Sequence, residues 1–148
     1  LDADVAFQPE DMLKLYSYQK PIVSASYPMK TLPIRHCYEL YNPVKLCGNL
    51  VKIGGIGMGF VLIHRSVFEK LNMYYSELKY FPGLNNSNYP ITEKEYHNSY
   101  HYFAEMNKEG KYLGEDMSFF HRVSNIGYDV WMDTSIELQH IGSHVFGK

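Results

Sequence analysis

Leu1-Asp2-Ala3-Asp4-Val5-Ala6-Phe7 is the stretch on which the reading of this chain turns. Two carboxylates alternate with apolar residues on what the pattern predicts to be a strand, running into a turn at Gln8-Pro9. Side chains of a strand alternate faces, so Asp2 and Asp4 are expected to point the same way, side by side. Like charges held that close repel, and a divalent cation beside them removes the repulsion; hard oxygen ligands suit Mg²⁺ or Mn²⁺. An Asp-x-Asp at the carboxyl end of an apolar strand is therefore a candidate metal site. The plainer alternative is two solvated carboxylates at a strand end.

Downstream, Pro9 suits the first turn of a helix, with Glu10 and Asp11 where the helix dipole favours negative charge. Met12, Leu13, Leu15 and Tyr16 carry an apolar face on to about Gln19. Pro21 to Tyr27 reads as a short apolar strand. A helix between two strands is the crossover that parallel pairing requires, so the opening is expected to be βαβ, with its carboxylates near strand ends where ligands of open α/β sheets bind. Residues 28–48, with Pro28, Pro33 and Pro43, read as an irregular loop with room for a short strand.

Asn49 to Ile53 predicts a strand, followed by Gly54-Gly55-Ile56-Gly57-Met58-Gly59 and a second strand, Phe60 to His64. Four glycines in six residues let the backbone approach something closely, either a ligand or another strand. The run lacks the Gly-Lys-Ser/Thr ending of a P-loop, and a strand rather than a helix follows it, which is wrong for a dinucleotide fingerprint. A bulged or sharply bent β-segment is the plainer reading. Arg65 to Leu71 predicts a short helix capped near Ser66, and Asn98 to Lys108 another, with Tyr100, Phe103, Ala104 and Met106 on its apolar side. Gly114-Glu115-Asp116 opens an amphipathic helix closed by Gly127. Carboxylates in a first turn serve the cap and the dipole, but the same position keeps a carboxylate ionised, and at a pocket edge it can act as a base. Strands are expected at Tyr128–Asp133 and Ser135–His140.

With 148 residues the chain fits a single domain, 1–148, and can bury a core. A charged fraction of 20% and a net charge of −2 give no basic surface for nucleic acid. No apolar run approaches the roughly 20 residues that span a bilayer. No signal peptide is read either, but the start with Leu rather than Met leaves the location unassigned, with the cytoplasm the favoured expectation. The chain starts with Leu and gives the first strand only one residue before Asp2, so a fragment opening in mid-domain is expected. Cys37 and Cys47 lack zinc-site spacing; they could pair in an oxidising compartment, but read first as two free buried thiols. The 14 Tyr and 8 Phe exceed what a core of this size needs; those between residues 73 and 103 either fold back on the core or line a groove where rings stack on sugars. The sequon Asn85-Asn86-Ser87 reads as accidental.

Four motifs in order resemble the catalytic portion of a GT-A fold glycosyltransferase: Asp2-Ala3-Asp4; the Gly57-Met58-Gly59-Phe60-Val61-Leu62-Ile63-His64-Arg65 strand leading into Val67-Phe68; Gly114-Glu115-Asp116 opening a helix; and His140-Ile141-Gly142. Together they span nearly the whole chain and are similar to small glycosyltransferases of viruses, phages and bacteria. The resemblance implies an α/β fold with a mixed, mainly parallel sheet flanked by helices, incomplete at the N-terminus because the units that bind the nucleotide base are not found ahead of Asp2. It implies a hexosyltransferase-like enzyme that moves a sugar from a UDP- or GDP-sugar to a hydroxyl of a glycan, glycoprotein or lipid-linked acceptor. Asp2, Asp4 and His140 would hold Mn²⁺ or Mg²⁺. Asp116 would be the general base, with Glu115 in reserve. Asp2, Ala3, Gly57, Met58 and Gly59 would lie against donor or acceptor, and His144 or Lys148 would touch the diphosphate. A single in-line displacement would invert the anomeric centre.

Two other readings compete. A phosphatase of the haloacid dehalogenase type also opens with Asp-x-Asp and uses the first Asp as nucleophile, but it expects Thr where this chain has Ala6. A non-catalytic carbohydrate-binding protein on the same fold would use the aromatic region and turn nothing over.

Overall fold

A computed structural model of the chain describes residues 1–80, 92, 94 and 97–147. Its framework is a five-stranded sheet built from β2 (Ile22–Ala25), β3 (Tyr38–Cys47), β4 (Leu50–Ile56), β5 (Val61–Ile63) and β8 (Val130–Asp133). The strand order is β3-β4-β8-β2-β5. Three α-helices, α1 (Pro9–Ser17), α2 (Arg65–Tyr74) and α3 (Glu115–Asn125), are found among the described residues. β1 (Val5–Ala6), β9 (Gln139–Ile141) and β10 (Val145–Phe146) form a small separate sheet, and β6 (Met106–Lys108) with β7 (Lys111–Leu113) forms a hairpin.

The class is mixed α/β, but the expectation of a mainly parallel sheet is wrong. Only β2 and β8 run parallel; β2–β5, β3–β4 and β4–β8 are antiparallel, as are all pairs of the two smaller sheets. The expected βαβ opening fails for the same reason. β1 is two residues long and pairs antiparallel with β9, Val5 opposite His140, outside the main sheet. Asp2 and Asp4 therefore do not sit side by side on a strand. They flank a tight turn closed by the Val5 N–H to Asp2 C=O bond at 3.3 Å.

Alternation along the strands divides the core between two faces of the sheet. On one, Ile22, Val51, Ile53 and Val130 meet Val67 and Leu71 of α2 and Phe119, Phe120 and Val123 of α3. On the other, Val23, Ala25 and Leu50 meet Leu15 of α1 together with Phe60, Ile136 and Leu138. At Gly55 a Cβ would lie 2.6 Å from the Met117 sulfur, so the missing side chain is what lets α3 lie against β4.

Helix α1 begins as the sequence predicts. Pro9 is at its first position, and a capping box joins the Gln8 side chain to the Asp11 backbone and the Asp11 carboxylate to the Gln8 N–H at 2.8 Å. Helix α2 is capped by His64, whose Nδ1 accepts from the Ser66 N–H, rather than by Ser66. Two expectations need correction. Residues 28–48 hold not a short strand but the ten-residue β3, and Asn98–Lys108 is no helix but an irregular segment, with a turn closed by the Ala104 N–H to His101 C=O bond, that ends in β6.

Candidate functional site

Beyond the carboxyl end of β2 the chain continues as Ser26-Tyr27-Pro28-Met29-Lys30, and this segment organises the site. The Pro28 carbonyl accepts the Nδ1–H of His140 at 2.9 Å. That bond fixes the imidazole tautomer and turns Nε2 toward Asp4, 3.5 Å from Oδ1. The other carboxylate oxygen of Asp4 accepts from the Lys30 ammonium at 2.5 Å. The hydrogen bond from Lys30 holds the Asp4 carboxyl below the usual range; desolvation opposes it, and the charges of Lys30 and then His140 add to the lowering.

Asp4 of the opening acidic pair and the closing imidazole thus meet, whereas Asp2 does not join them. Pairing of β1 with β9 places residue 140 beside residue 5, and the Ile141 N–H donates to the Asp4 carbonyl at 2.7 Å. Asp2 is anchored by its backbone, its N–H donating to the Gly59 carbonyl at 2.9 Å, while its side chain faces solvent. Ala3 is exposed at the middle of the turn. Among the described residues no three His, Cys, Asp or Glu side chains gather closely enough to hold a metal by themselves. The Asp4–His140 pair nevertheless fits a divalent ion in donor type and spacing. Two metal bonds of about 2.1 Å meeting at right angles span about 3 Å, and Mn²⁺ or Mg²⁺ completes its shell with water and phosphate oxygens.

The glycine-rich segment supplies the site's floor. A Cβ on Gly57 would lie 2.7 Å from the Tyr27 hydroxyl, and one on Gly59 would lie 2.7 Å from two Tyr27 ring carbons. The room these glycines leave is taken by Tyr27, whose hydroxyl accepts the Gly59 N–H at 3.1 Å and whose ring stands edge-on to His140 at 5.1 Å. Between them, the Met58 N–H donates to Asp116 Oδ2 at 3.2 Å. Burial raises the Asp116 pKa against that hydrogen bond, and the charges of Glu115 and Asp2 raise it further. A half-buried carboxylate held this way is a stronger base than a solvated one, and the charge coupling puts Asp2 and Asp116 in one neighbourhood.

Glu115 and Asp116 open α3 after Gly114 but serve different surroundings. Glu115 is exposed and faces an open cavity of about 470 Å³ lined by Tyr80, Tyr100, Tyr102, Phe103 and Glu105. This places part of the aromatic surplus beside the Asp116 helix terminus. His144 lies exposed in the turn between β9 and β10, its carbonyl accepting the Gly142 N–H at 3.0 Å, with its ring against Phe146. Lys148 and the sequon lie outside the described residues.

Sequence reasoning missed Tyr27, Lys30 and Cys37. The carbonyl of Cys37 takes the Gly57 N–H at 3.0 Å, and its thiol pKa is raised first by burial and then by the Asp116 charge. The signal that could have found the first two is positional. Tyr27 ends the predicted strand and Lys30 lies three residues beyond it, at the carboxyl end where open α/β sheets place ligands.

No protein-family model matches the chain, and no curated protein matches it. Among solved structures it is similar to A197 from STIV, at 15% sequence identity and a TM-score of 0.47, over 100% of this chain and 63% of that one. Function is therefore argued from the site's own chemistry.

Proposed function

We propose that the protein is a GT-A-type glycosyltransferase that moves a hexose from a nucleoside diphosphate to a hydroxyl acceptor, with inversion. The observation that carries this reading is the meeting of Asp4 and His140, 3.5 Å apart, against Tyr27, whose hydroxyl feels the charges of Asp2 and the half-buried Asp116. Asp4 and His140, with Asp2 through water or ribose, would hold Mn²⁺ or Mg²⁺, which when bound supplies positive charge for a departing diphosphate. Asp116 takes the acceptor hydroxyl's proton as that oxygen attacks the anomeric carbon. Its raised basicity suits the task, and the Met58 N–H keeps one carboxylate oxygen occupied and the group oriented. Glu115 and the ring-lined cavity next to it present carboxylates and flat apolar faces, the chemistry that receives a sugar acceptor. The donor class is a UDP- or GDP-sugar, and the acceptor a glycan, glycoprotein or lipid-linked sugar. Among the described residues no helix is long and apolar enough to cross a membrane, and a cytoplasmic site of action is part of the proposal.

The test is a screen of UDP- and GDP-sugars for Mn²⁺-dependent hydrolysis and transfer. Asp4→Ala is expected to abolish both the metal response and turnover. Asp116→Asn is expected to keep donor binding within about threefold and lower transfer by about 10²–10⁴-fold, the usual contribution of a general base. Transfer at the wild-type rate by Asp116→Asn would remove the base from the reading. The same ring-lined cavity favours a second reading, a non-catalytic glycan-binding protein, which would bind oligosaccharides yet hydrolyse no nucleotide-sugar.

A further inference from the structure

The Lys30 ammonium stands on the carboxylate at the centre of the site, and nothing in the arrangement of motifs accounts for it. Its Nζ donates to Asp4 Oδ2 at 2.5 Å while His140 faces the other oxygen. The side chains of Lys30 and Asp4 are 40% and 45% exposed, and ion pairs as open as this contribute little to stability. The lysine is nevertheless carefully placed. Its loop is tied by the Met29 N–H to Arg35 C=O and Thr31 N–H to Met29 C=O bonds, both 2.7 Å, and by the bridge between Pro28 and His36. Its aliphatic stem crosses Gly142, where a Cβ would lie 3.4 Å from Cδ and Cε. The glycine of the His140-Ile141-Gly142 motif is thus the surface over which Lys30 reaches Asp4.

We propose that Lys30 is the cation that binds the diphosphate of the donor, exchanging Asp4 for phosphate oxygens when the nucleotide arrives. This deepens the glycosyltransferase reading and rests on it. A lysine suits such an exchange because its charge is a compact point on a flexible stem with three donors, able to pass between acceptors without a fixed fork geometry. During transfer the bond from the anomeric carbon to the diphosphate oxygen breaks and its electron pair stays on that oxygen, where the Lys30 N–H groups receive the charge. The acceptor oxygen bonds to the anomeric carbon and its proton passes to Asp116. Nothing is oxidised or reduced, and in the free protein Asp4 keeps the lysine poised over the site.

Calorimetric titration of the full chain with UDP, GDP and inorganic pyrophosphate, each with Mn²⁺ and with EDTA, tests this. Lys30→Gln is expected to weaken all three by about tenfold or more, the scale of a lost charge-assisted contact. Lys30→Arg should restore affinity to within about threefold. A lysine that merely props Asp4 would have no further effect once Asp4 is neutral, so the decisive comparison is made in an Asp4→Asn background, where Lys30→Gln is still expected to weaken binding. Unchanged affinity in Lys30→Gln, or a loss that vanishes in the Asp4→Asn background, overturns the inference and leaves the enzyme reading standing. Failure of the wild-type chain to bind any of the three probes removes that reading, and this inference with it.

Discussion

Asp116 is pulled in two directions. Burial, and then the charges of Glu115 and Asp2, favour its protonated form, while the Met58 N–H favours the carboxylate. Removing one of those charges has a definite sign. Asp2→Asn should move the Asp116 carboxyl titration, followed by ¹³C NMR, to lower pH, and an unmoved midpoint would show that Asp2 lies too far away to matter. Cys37 reports on the same neighbourhood from another side. Its raised pKa leaves less thiolate at neutral pH, and Asp116→Asn, which removes one of the charges raising it, should speed its reaction with a disulfide reagent while leaving Cys47 unchanged; both thiols are exposed, so access does not separate them. An unmoved Cys37 rate would show that Asp116 does not act on it. Residues such as Asp4 and Asp116 were legible in the sequence because carboxylates at an Asp-x-Asp and at a helix start carry local signals. Lys30 was not, since a lysine in a Pro-rich loop looks like any solvated charge until the turn bearing Asp4 is folded against it.

Elements were legible where local pattern and tertiary packing agree. Helices α1 and α3 carry an apolar stripe, a capping signal and a stop, and they form where the pattern puts them. The segment 98–108 has helical spacing too, but its rings are held by partners elsewhere. Phe103 stacks on Phe119 at 5.0 Å, the Tyr102 hydroxyl donates to Asn72 at 2.6 Å, and the His101 N–H donates to the Leu78 carbonyl. Such contacts override a period. Strand β3 was hidden by Pro43, which the sheet tolerates because β3 is an edge strand whose register with β4 shifts between Leu40 and Lys45. The glycine run was expected to approach a ligand or another strand; what stands against Gly57 and Gly59 is the side chain of Tyr27. Gly59→Ala should therefore lower stability by about 1–3 kcal/mol in chemical denaturation, the cost of forcing a methyl group into a filled space. Combining it with Tyr27→Ala should give less than the sum of the two single losses. Strict additivity would mean that the two residues do not compete for the same space.

At the scale of the whole molecule, two carboxylates are shifted in opposite directions from the ordinary carboxylate value. Asp133 ends β8 on the main sheet and its side chain is fully buried. Burial alone would raise its pKa, but the hydroxyls of Ser135 at 2.6 Å and Tyr18 at 2.5 Å, the Ser135 N–H and Lys14 outweigh it and hold the carboxyl below its ordinary value. The same carboxylate, after burial, helps push Tyr18 up to about 12. A depressed folded pKa gives stability that is complete above the unfolded value near ~3.9 and is lost as pH falls through the folded value. Asp116 has the opposite sign. Its folded pKa is raised, so its contribution is complete below the unfolded value and is lost as pH rises through the folded one, leaving a cost at neutral pH. The sheet end that joins α1 to β8 is thus held by a well-satisfied charge, whereas Asp116 is held against burial and two like charges by the Met58 N–H. At pH 7, Asp133→Asn should lose about 2–3 kcal/mol, a fall in Tm of about 5–10 °C, because a neutral amide places an N–H₂ among groups arranged to donate. Asp116→Asn, which can still accept from Met58, should be unchanged or gain about 0.5–1 kcal/mol. Repeating both melts near pH 3.5 should shrink the Asp133→Asn deficit and erase the Asp116→Asn gain; two variants that fall together at pH 7 would show that Asp116 is a structural anchor and not a held base.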